Sequence, residues 1–231
     1  MIDVEPAAPG PGRDGARLFI GVPVSAAVAG ELAGTCESLA RRATAQSVPM
    51  RWLAPATYHV TLRYLGWTAR ETVGAIEQSM RRAVASAGVG GLRFRCERLG
   101  AFASPARATV VWAGVDDGGG LAALAAALER EVVPLGFAAE KRVFHPHVTI
   151  ARLREPTRVD QVLLPFAEQV FSETRCDFLT LFESITKPKG SEYRSVLRVP
   201  LERPNSAAGR QSEPVQPAPL DASPGSDDGW K

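Results

Sequence analysis

Apolar residues recur at two periods along this chain, and each change of period marks a new element. Alternation with β-branched and aromatic content predicts strands over 17–24, 58–65, 92–102, 107–115, 145–152, 170–183 and 193–201. Between them, helical spacing predicts helices over 25–45, 68–87 and 121–134, with a short one near 157–167. Ser25 is placed to cap the first helix. Thr68-Ala69-Arg70-Glu71 reads as a capping box for the second, whose apolar stripe is Val73, Ile76, Met80 and Val84. Gly66 reads as the stop of the 58–65 strand, and Ser104-Pro105 as the turn of a hairpin. No G-K-[ST] follows Gly118-Gly119-Gly120, so that run reads as a loop and not as a phosphate cradle.

Residues 1–16 and 203–231 are rich in Pro, Gly, Ser and Asp and poor in large apolar side chains, which predicts flexible tails around one folded unit over 17–202. Within that unit the order strand, helix, strand, helix, hairpin occurs and then nearly repeats. This suggests two related halves, and the hairpins favour antiparallel pairing and an α+β class over a doubly wound parallel sheet.

One tetrapeptide sits at corresponding points of the two halves: His59-Val60-Thr61-Leu62 recurs as His147-Val148-Thr149-Ile150. On a strand, residues i and i+2 share a face, so each copy offers an imidazole beside a hydroxyl on one side and two aliphatics on the other. A single His-x-Thr strand is usually structural. Two copies that use two of the chain's three histidines predict instead that each half contributes one such strand to a shared groove.

Composition narrows the setting. The net charge of +2, from 27 basic and 25 acidic residues, is too balanced to announce nucleic-acid binding, so any phosphate-binding surface is local. Cys36, Cys96 and Cys176 lack C-x-x-C spacing, which indicates neither a disulfide framework nor a zinc knuckle and fits reduced thiols in a cytoplasm. The amino terminus lacks a basic-then-apolar signal pattern, and no 18-residue apolar run occurs, which argues against secretion and membrane spanning.

At its paired motifs the chain resembles the 2H phosphoesterase superfamily and, more narrowly, the RNA 2′,3′-cyclic phosphodiesterases also called 2′-5′ RNA ligases. Surrounding text carries the narrower resemblance: Arg17-Leu18-Phe19-Ile20-Gly21, Trp52 ahead of His59-Val60-Thr61-Leu62-Arg63-Tyr64-Leu65-Gly66, and Val110-Val111-Trp112-Ala113-Gly114. Phe144-His145-Pro146-His147-Val148-Thr149-Ile150-Ala151-Arg152 and Gly190-Ser191-Glu192-Tyr193 complete it. Tyr64 stands where the family more often has Phe, and His145 occupies a variable position of the second motif. The resemblance implies a two-lobed fold of antiparallel sheets flanking a central groove, with approximate twofold symmetry and the helices outside.

It also implies the reaction. Opening a 2′,3′-cyclic phosphate needs a base to take a proton from water and an acid to protonate the departing ribose oxygen, and imidazole suits both tasks near neutral pH. By resemblance His59 is the proton donor to the leaving 3′ oxygen and His147 the proton acceptor from water, giving a 2′-phosphomonoester, with 2′-5′ ligation as a possible reverse activity. Thr61 and Thr149 are placed to donate hydroxyl hydrogens to non-bridging phosphate oxygens. Arg63 shares strand parity with His59 and Thr61, whereas Arg152 has the opposite parity to its motif; the family nevertheless places a basic residue there, so Arg152 is the phosphate-binding candidate. No cofactor or metal is expected: His145-Pro146-His147 could chelate, but no further His and no Cys lies nearby in the sequence to complete a set. Trp52 and Trp112 read as core residues. The expected partner is RNA with a 2′,3′-cyclic phosphate end, tRNA half-molecules among the possibilities, bound by a monomer. The competing readings are a 2H phosphoesterase of small nucleotide cyclic phosphates and an RNA-end-binding protein with incidental catalysis.

Overall fold

The computed structural model describes residues 14–187 and 190–201. The expected tails fall outside them except at the start, where the first strand begins two residues earlier than expected. That strand, β1 (Gly15–Pro23), is followed by α1 (Ala26–Ala45), the short β2 (Arg51–Trp52), β3 (His59–Ala69) and α2 (Val73–Ala87). Next come β4 (Leu92–Phe102), β5 (Ala108–Asp116), α3 (Gly120–Val132), β6 (His147–Thr157) and α4 (Asp160–Leu163). The strands β7 (Val170–Cys176), β8 (Phe178–Lys187) and β9 (Gly190–Pro200) complete the fold. The class is α+β, and among the described residues no helix is long and apolar enough to cross a membrane.

All strands join one antiparallel sheet in the order β7-β4-β5-β6-β3-β1-β8-β9, with β2 beside β6. This sheet is two four-stranded lobes meeting at β6 and β3, where one residue pair, Val60 with Val148, spans the seam. The lobes are not the two halves of the sequence. The run expected as one strand over 170–183 is two strands at opposite ends of the sheet: β7 pairs with β4, while β8 pairs with β1 and β9. Asp177, between them, is the only residue outside both strands, and alternation cannot register a chain that stays extended while changing partners.

Helix ends follow their local chemistry. The Ser25 side chain accepts from Val28 N at 3.3 Å, capping α1 as expected. The 118–120 glycines form the entry to α3, with Gly118 and Gly119 at φ of +66° and +97° and the Asp117 carboxylate accepting from Leu121 N. The capping box at Thr68 does not form. Thr68 lies in β3, its hydroxyl donating to Gly66 O at 3.2 Å, and α2 begins only after a 3-10 turn over Arg70–Thr72. Nor does Gly66 stop its strand. At φ +74° it accommodates a register slip, Leu18 opposing Gly66 but Phe19 opposing Tyr64, and β3 continues to Ala69.

The core lies between the helices and one face of the sheet. It joins Leu32 and Leu39 of α1, Ile76 and Met80 of α2, and Leu121, Leu124 and Leu128 of α3 to Ile20, Val60, Val148, Ile150 and Leu181 of the strands. At about 25 cal/mol per Å² of apolar area removed from water, these side chains supply the main drive to fold. Helix α1 packs on β7 and α4, whereas α3 packs on β3 and α2, so each lobe is covered by a helix that follows a strand of the other.

Two bulges at matching points decide what faces away from that core. Between β1 and β3 the register passes from Gly21 opposite Thr61 to Ile20 opposite Arg63, leaving Leu62 extra. Between β5 and β6 it passes from Trp112 opposite Thr149 to Val111 opposite Ala151, leaving Ile150 extra. Each bulge reverses alternation immediately after the motif. Arg63 is thereby buried on the helix side, and Arg152 is exposed on the side of His147, the reverse of what uninterrupted parity gives.

Buried Arg63 has a structural task. Its Nε lies 2.7 Å from a Glu129 carboxylate oxygen in a close but poorly aligned ion pair. Its other nitrogens donate to Tyr64 O, at 2.9 Å, and to Ala138 O. Glu129 also accepts from Glu140 N at 2.8 Å, so the pair fastens the first motif strand to the loop that leads into the second. Arg63→Met leaves the carboxylate uncompensated. We expect a loss of about 2–4 kcal/mol in chemical denaturation, below the largest buried-pair values because Glu129 stays partly hydrated, with much of it recovered in Arg63→Met/Glu129→Leu.

Candidate active site

The antiparallel register about Val60 and Val148, carried one residue either way, sets His59 opposite Thr149 and Thr61 opposite His147. The tetrapeptides thus meet around a local twofold axis, with each imidazole beside its own motif's threonine in sequence and the other motif's threonine across the seam. All four side chains are half-buried on the face opposite the core.

Both rings are oriented by the same device. His59 Nδ1 donates to Thr57 O at 2.7 Å, and His147 Nδ1 donates to His145 O at 2.6 Å, in each case the carbonyl two residues upstream. Occupying Nδ1 with its proton leaves Nε2 as the unprotonated nitrogen of the neutral ring and directs it away from the strand. His59 Nε2 accepts from the Thr61 hydroxyl at 2.9 Å, whereas no corresponding bond joins His147 to Thr149. Backbone carbonyls carry no residue-type signal, so the sequence gives no sign of this device.

The walls differ between lobes. Around His59 stand Phe19, with ring centroids 4.7 Å apart, Tyr193 edge-on at 5.0 Å and Phe182 at 5.9 Å. His147 meets Phe102 edge-on at 4.9 Å and Trp112 at 6.5 Å. Trp112 is thus a wall of the site and not a core residue, a correction to the sequence expectation, whereas Trp52 does pack against the core. The bulge in β5–β6 sets Trp112 opposite Thr149, on the motif face. Glycine makes room in both lobes. A Cβ on Gly21 would meet Val60 O at 2.6 Å, and one on Gly100 would lie 2.3 Å from the Trp112 ring.

These walls depress both imidazoles. Desolvation is the main cause at His59, whose pKa falls from 6.5 to about 4 against the opposing effect of its bond to Thr57; the charges of His147 and Arg152 push it the same way. Desolvation again leads at His147, with further lowering from Arg152 and His145. The Arg152 charge acts on both rings. Of the sequence candidates, then, His59, Thr61, His147, Thr149 and Arg152 come together, while Arg63 does not. His145 contributes its carbonyl and flanks Phe102, at 6.4 Å between centroids. Among the described residues no three His, Cys, Asp or Glu side chains converge as metal ligands.

Comparison with known proteins gives a consistent picture. The chain is 31% identical over 176 residues to the RNA 2′,3′-cyclic phosphodiesterase of Aeropyrum pernix, covering 74% of this chain and 94% of that one. It is 27% identical over 181 residues to the protein of the same name from Archaeoglobus fulgidus, covering 78% and 97%. Its fold matches the crystal structure of TT0787 from Thermus thermophilus with a TM-score of 0.65 at 22% identity, over 82% of this chain and all of that one. It also matches Escherichia coli LigT complexed with 3′-AMP, at a TM-score of 0.61, 22% identity and the same coverage. Residues 31–187, more than half of the chain, match the profile of the 2′-5′ RNA ligase superfamily, and the chain belongs to that family.

Proposed function

We propose that this protein is a hydrolase that opens RNA 2′,3′-cyclic phosphate ends to 2′-phosphomonoesters, using two histidines and no metal. The observation that carries the reading is the paired orientation of His59 and His147 across one strand seam, each with Nδ1 committed to a carbonyl and Nε2 left for chemistry. In this reaction His147 takes a proton from the attacking water while His59 protonates the departing 3′ oxygen. The P–O bond to water forms as the P–O3′ bond breaks. Thr61 and Thr149 donate to the non-bridging oxygens, and Arg152 offsets the charge that grows on them. When substrate binds, the Thr61 hydroxyl exchanges its bond to His59 Nε2 for one to phosphate. Every group in the scheme belongs to a single chain, so a monomer suffices. A ribose 5′-hydroxyl in place of water gives 2′-5′ ligation, and tRNA half-molecules are RNAs with suitable ends. The free, buried Cys36, Cys96 and Cys176 suit a reducing cytoplasm.

Hydrolysis of a short RNA with a 2′,3′-cyclic phosphate end, in excess EDTA and with the product's phosphate position identified, tests the reaction. We expect a 2′-phosphate product, with His59→Ala and His147→Ala each slower by roughly 10²- to 10⁴-fold. Loss of turnover in EDTA would refute the metal-free scheme, and equal rates on a cyclic mononucleotide would refute the preference for RNA. Both imidazole pKa values are depressed in the empty site, so kcat/KM should be bell-shaped with its limbs at or below about 6.5, the unperturbed imidazole value. A bound phosphate anion stabilises imidazolium, which should displace the kcat profile to higher pH. A single sigmoidal limb would argue against paired acid–base catalysis. Arg152→Ala should raise KM by about tenfold or more through the lost charge-assisted bond and, by removing a positive charge, move both kcat/KM limbs upward. Steady-state kinetics from about pH 4 to 9 would read both effects.

A further inference from the structure

The two sides of the proposed reaction centre are unequal in space. On the His59 side, three aromatic rings close on the imidazole. On the His147 side a cavity of about 350 Å³ opens, lined by His147 itself with Phe102, Trp112, Glu97, Pro146 and His145, and none of His59, Thr61, Phe19 or Tyr193 lines it. Phe102 and Trp112 form an aromatic corner there, with centroids 5.3 Å apart and planes 41° apart. The Trp112 indole N–H is buried and finds no acceptor among the described residues, a cost that an acceptor atom on a ligand would relieve. At the rim, Arg98 sits in a bulge of β4 at φ +53°, paired to Glu97 at 2.5 Å. A mostly apolar cavity with a few polar groups, at the lower end of ligand-site volumes, suits one nucleoside with its base against the aromatic corner.

Which nucleoside follows from the direction of attack. The entering nucleophile lies in line with, and opposite to, the departing 3′ oxygen, and so on the side of the proton acceptor, His147. Water needs no cavity there. We propose that this cavity binds the nucleoside bearing the free 5′-hydroxyl, which attacks in 2′-5′ ligation and departs in 2′-5′ cleavage. This rests on the roles assigned above to His59 and His147. In ligation the O5′–P bond forms and the P–O3′ bond breaks; the 5′-hydroxyl proton passes to His147, and His59 gives its proton to O3′, so the linkage needs no external energy donor.

The test offers the enzyme a short RNA with a 2′,3′-cyclic phosphate end in the presence of adenosine, in excess EDTA, and follows hydrolysis and 2′-5′ ligation together. Glu97→Trp, on β4 opposite Gly114 and outside both motifs, fills the cavity. We expect saturable ligation to adenosine by the wild type. In Glu97→Trp, ligation should fall by about tenfold or more, the loss of one base–aromatic stack, while hydrolysis stays within about threefold. Adenosine should also shift the Trp112 indole N–H resonance of the wild type, assigned with Trp112→Phe, a readout that stands if the filled variant is poorly folded. Equal loss of both reactions would place the cyclic-phosphate strand in the cavity instead. Undiminished ligation in Glu97→Trp, or neither ligation nor an indole shift in a wild type that hydrolyses, would overturn the proposal. A wild type that does not hydrolyse the cyclic phosphate overturns the underlying reaction itself.

Discussion

The backbone pairing of Val60 with Val148 is the narrow joint on which the site depends. Two four-stranded lobes meet there and nowhere else along the length of β3 and β6. An antiparallel pair centred on those valines places His59, Thr61, His147 and Thr149 about one twofold point, while the valines themselves are fully buried in the core. A slip of one residue would turn the imidazoles into the core and the aliphatics into the site, so burial of Val60 and Val148 and presentation of the histidines are one requirement. The Arg63–Glu129 pair and the helices that each lobe lends the other brace this joint from behind.

The site is poised by desolvation more than by hydrogen bonding. Aromatic walls withdraw water from both rings, and Arg152 adds unfavourable charge, so the empty site favours the neutral form of both imidazoles. Arriving phosphate reverses that balance because its negative charge favours one imidazolium and pairs with Arg152. In the proposed reaction, substrate binding therefore brings with it the protonation state that catalysis needs. The depressed value at His59 has a stability consequence as well. A histidine that is neutral when folded adds stability that is fully present above its unfolded value near 6.5 and is lost as pH falls toward about 4.

The approximate symmetry breaks where the proposed reaction needs a difference. The motif strands, their bulges and the carbonyl bonds at Nδ1 match in both lobes. The surroundings do not. Phe19, Phe182 and Tyr193 enclose His59, while Phe102 and Trp112 leave space beside His147. The proposed displacement at phosphorus has the same inequality, since one side holds the ribose oxygen of the ring and the other admits either water or, in the proposed ligation, a second nucleoside.

Much of this was legible in the chain. Hydrophobic period located the four helices and most strands, and Ser25 capped as its chemistry predicts, because these features depend on neighbours within a few residues. The doubled His-x-Thr strand revealed the paired residues for the same reason: alternation fixes which side chains share a face. What failed were inferences that carried alternation across a bulge or a change of partner. Arg63 and Arg152 exchanged faces because Leu62 and Ile150 are extra residues relative to β1 and β5, and that count exists only between strands. Thr68 lost its capping role to continued pairing of β3, and the single strand expected over 170–183 became two at opposite ends of the sheet. The sequence by itself determined the paired motifs that the proposed reaction uses and which faces are apolar. Only the tertiary structure decided register, and with it the neutral rings, the position of Arg152 and the cavity beside His147, because each depends on groups brought together from distant parts of the chain.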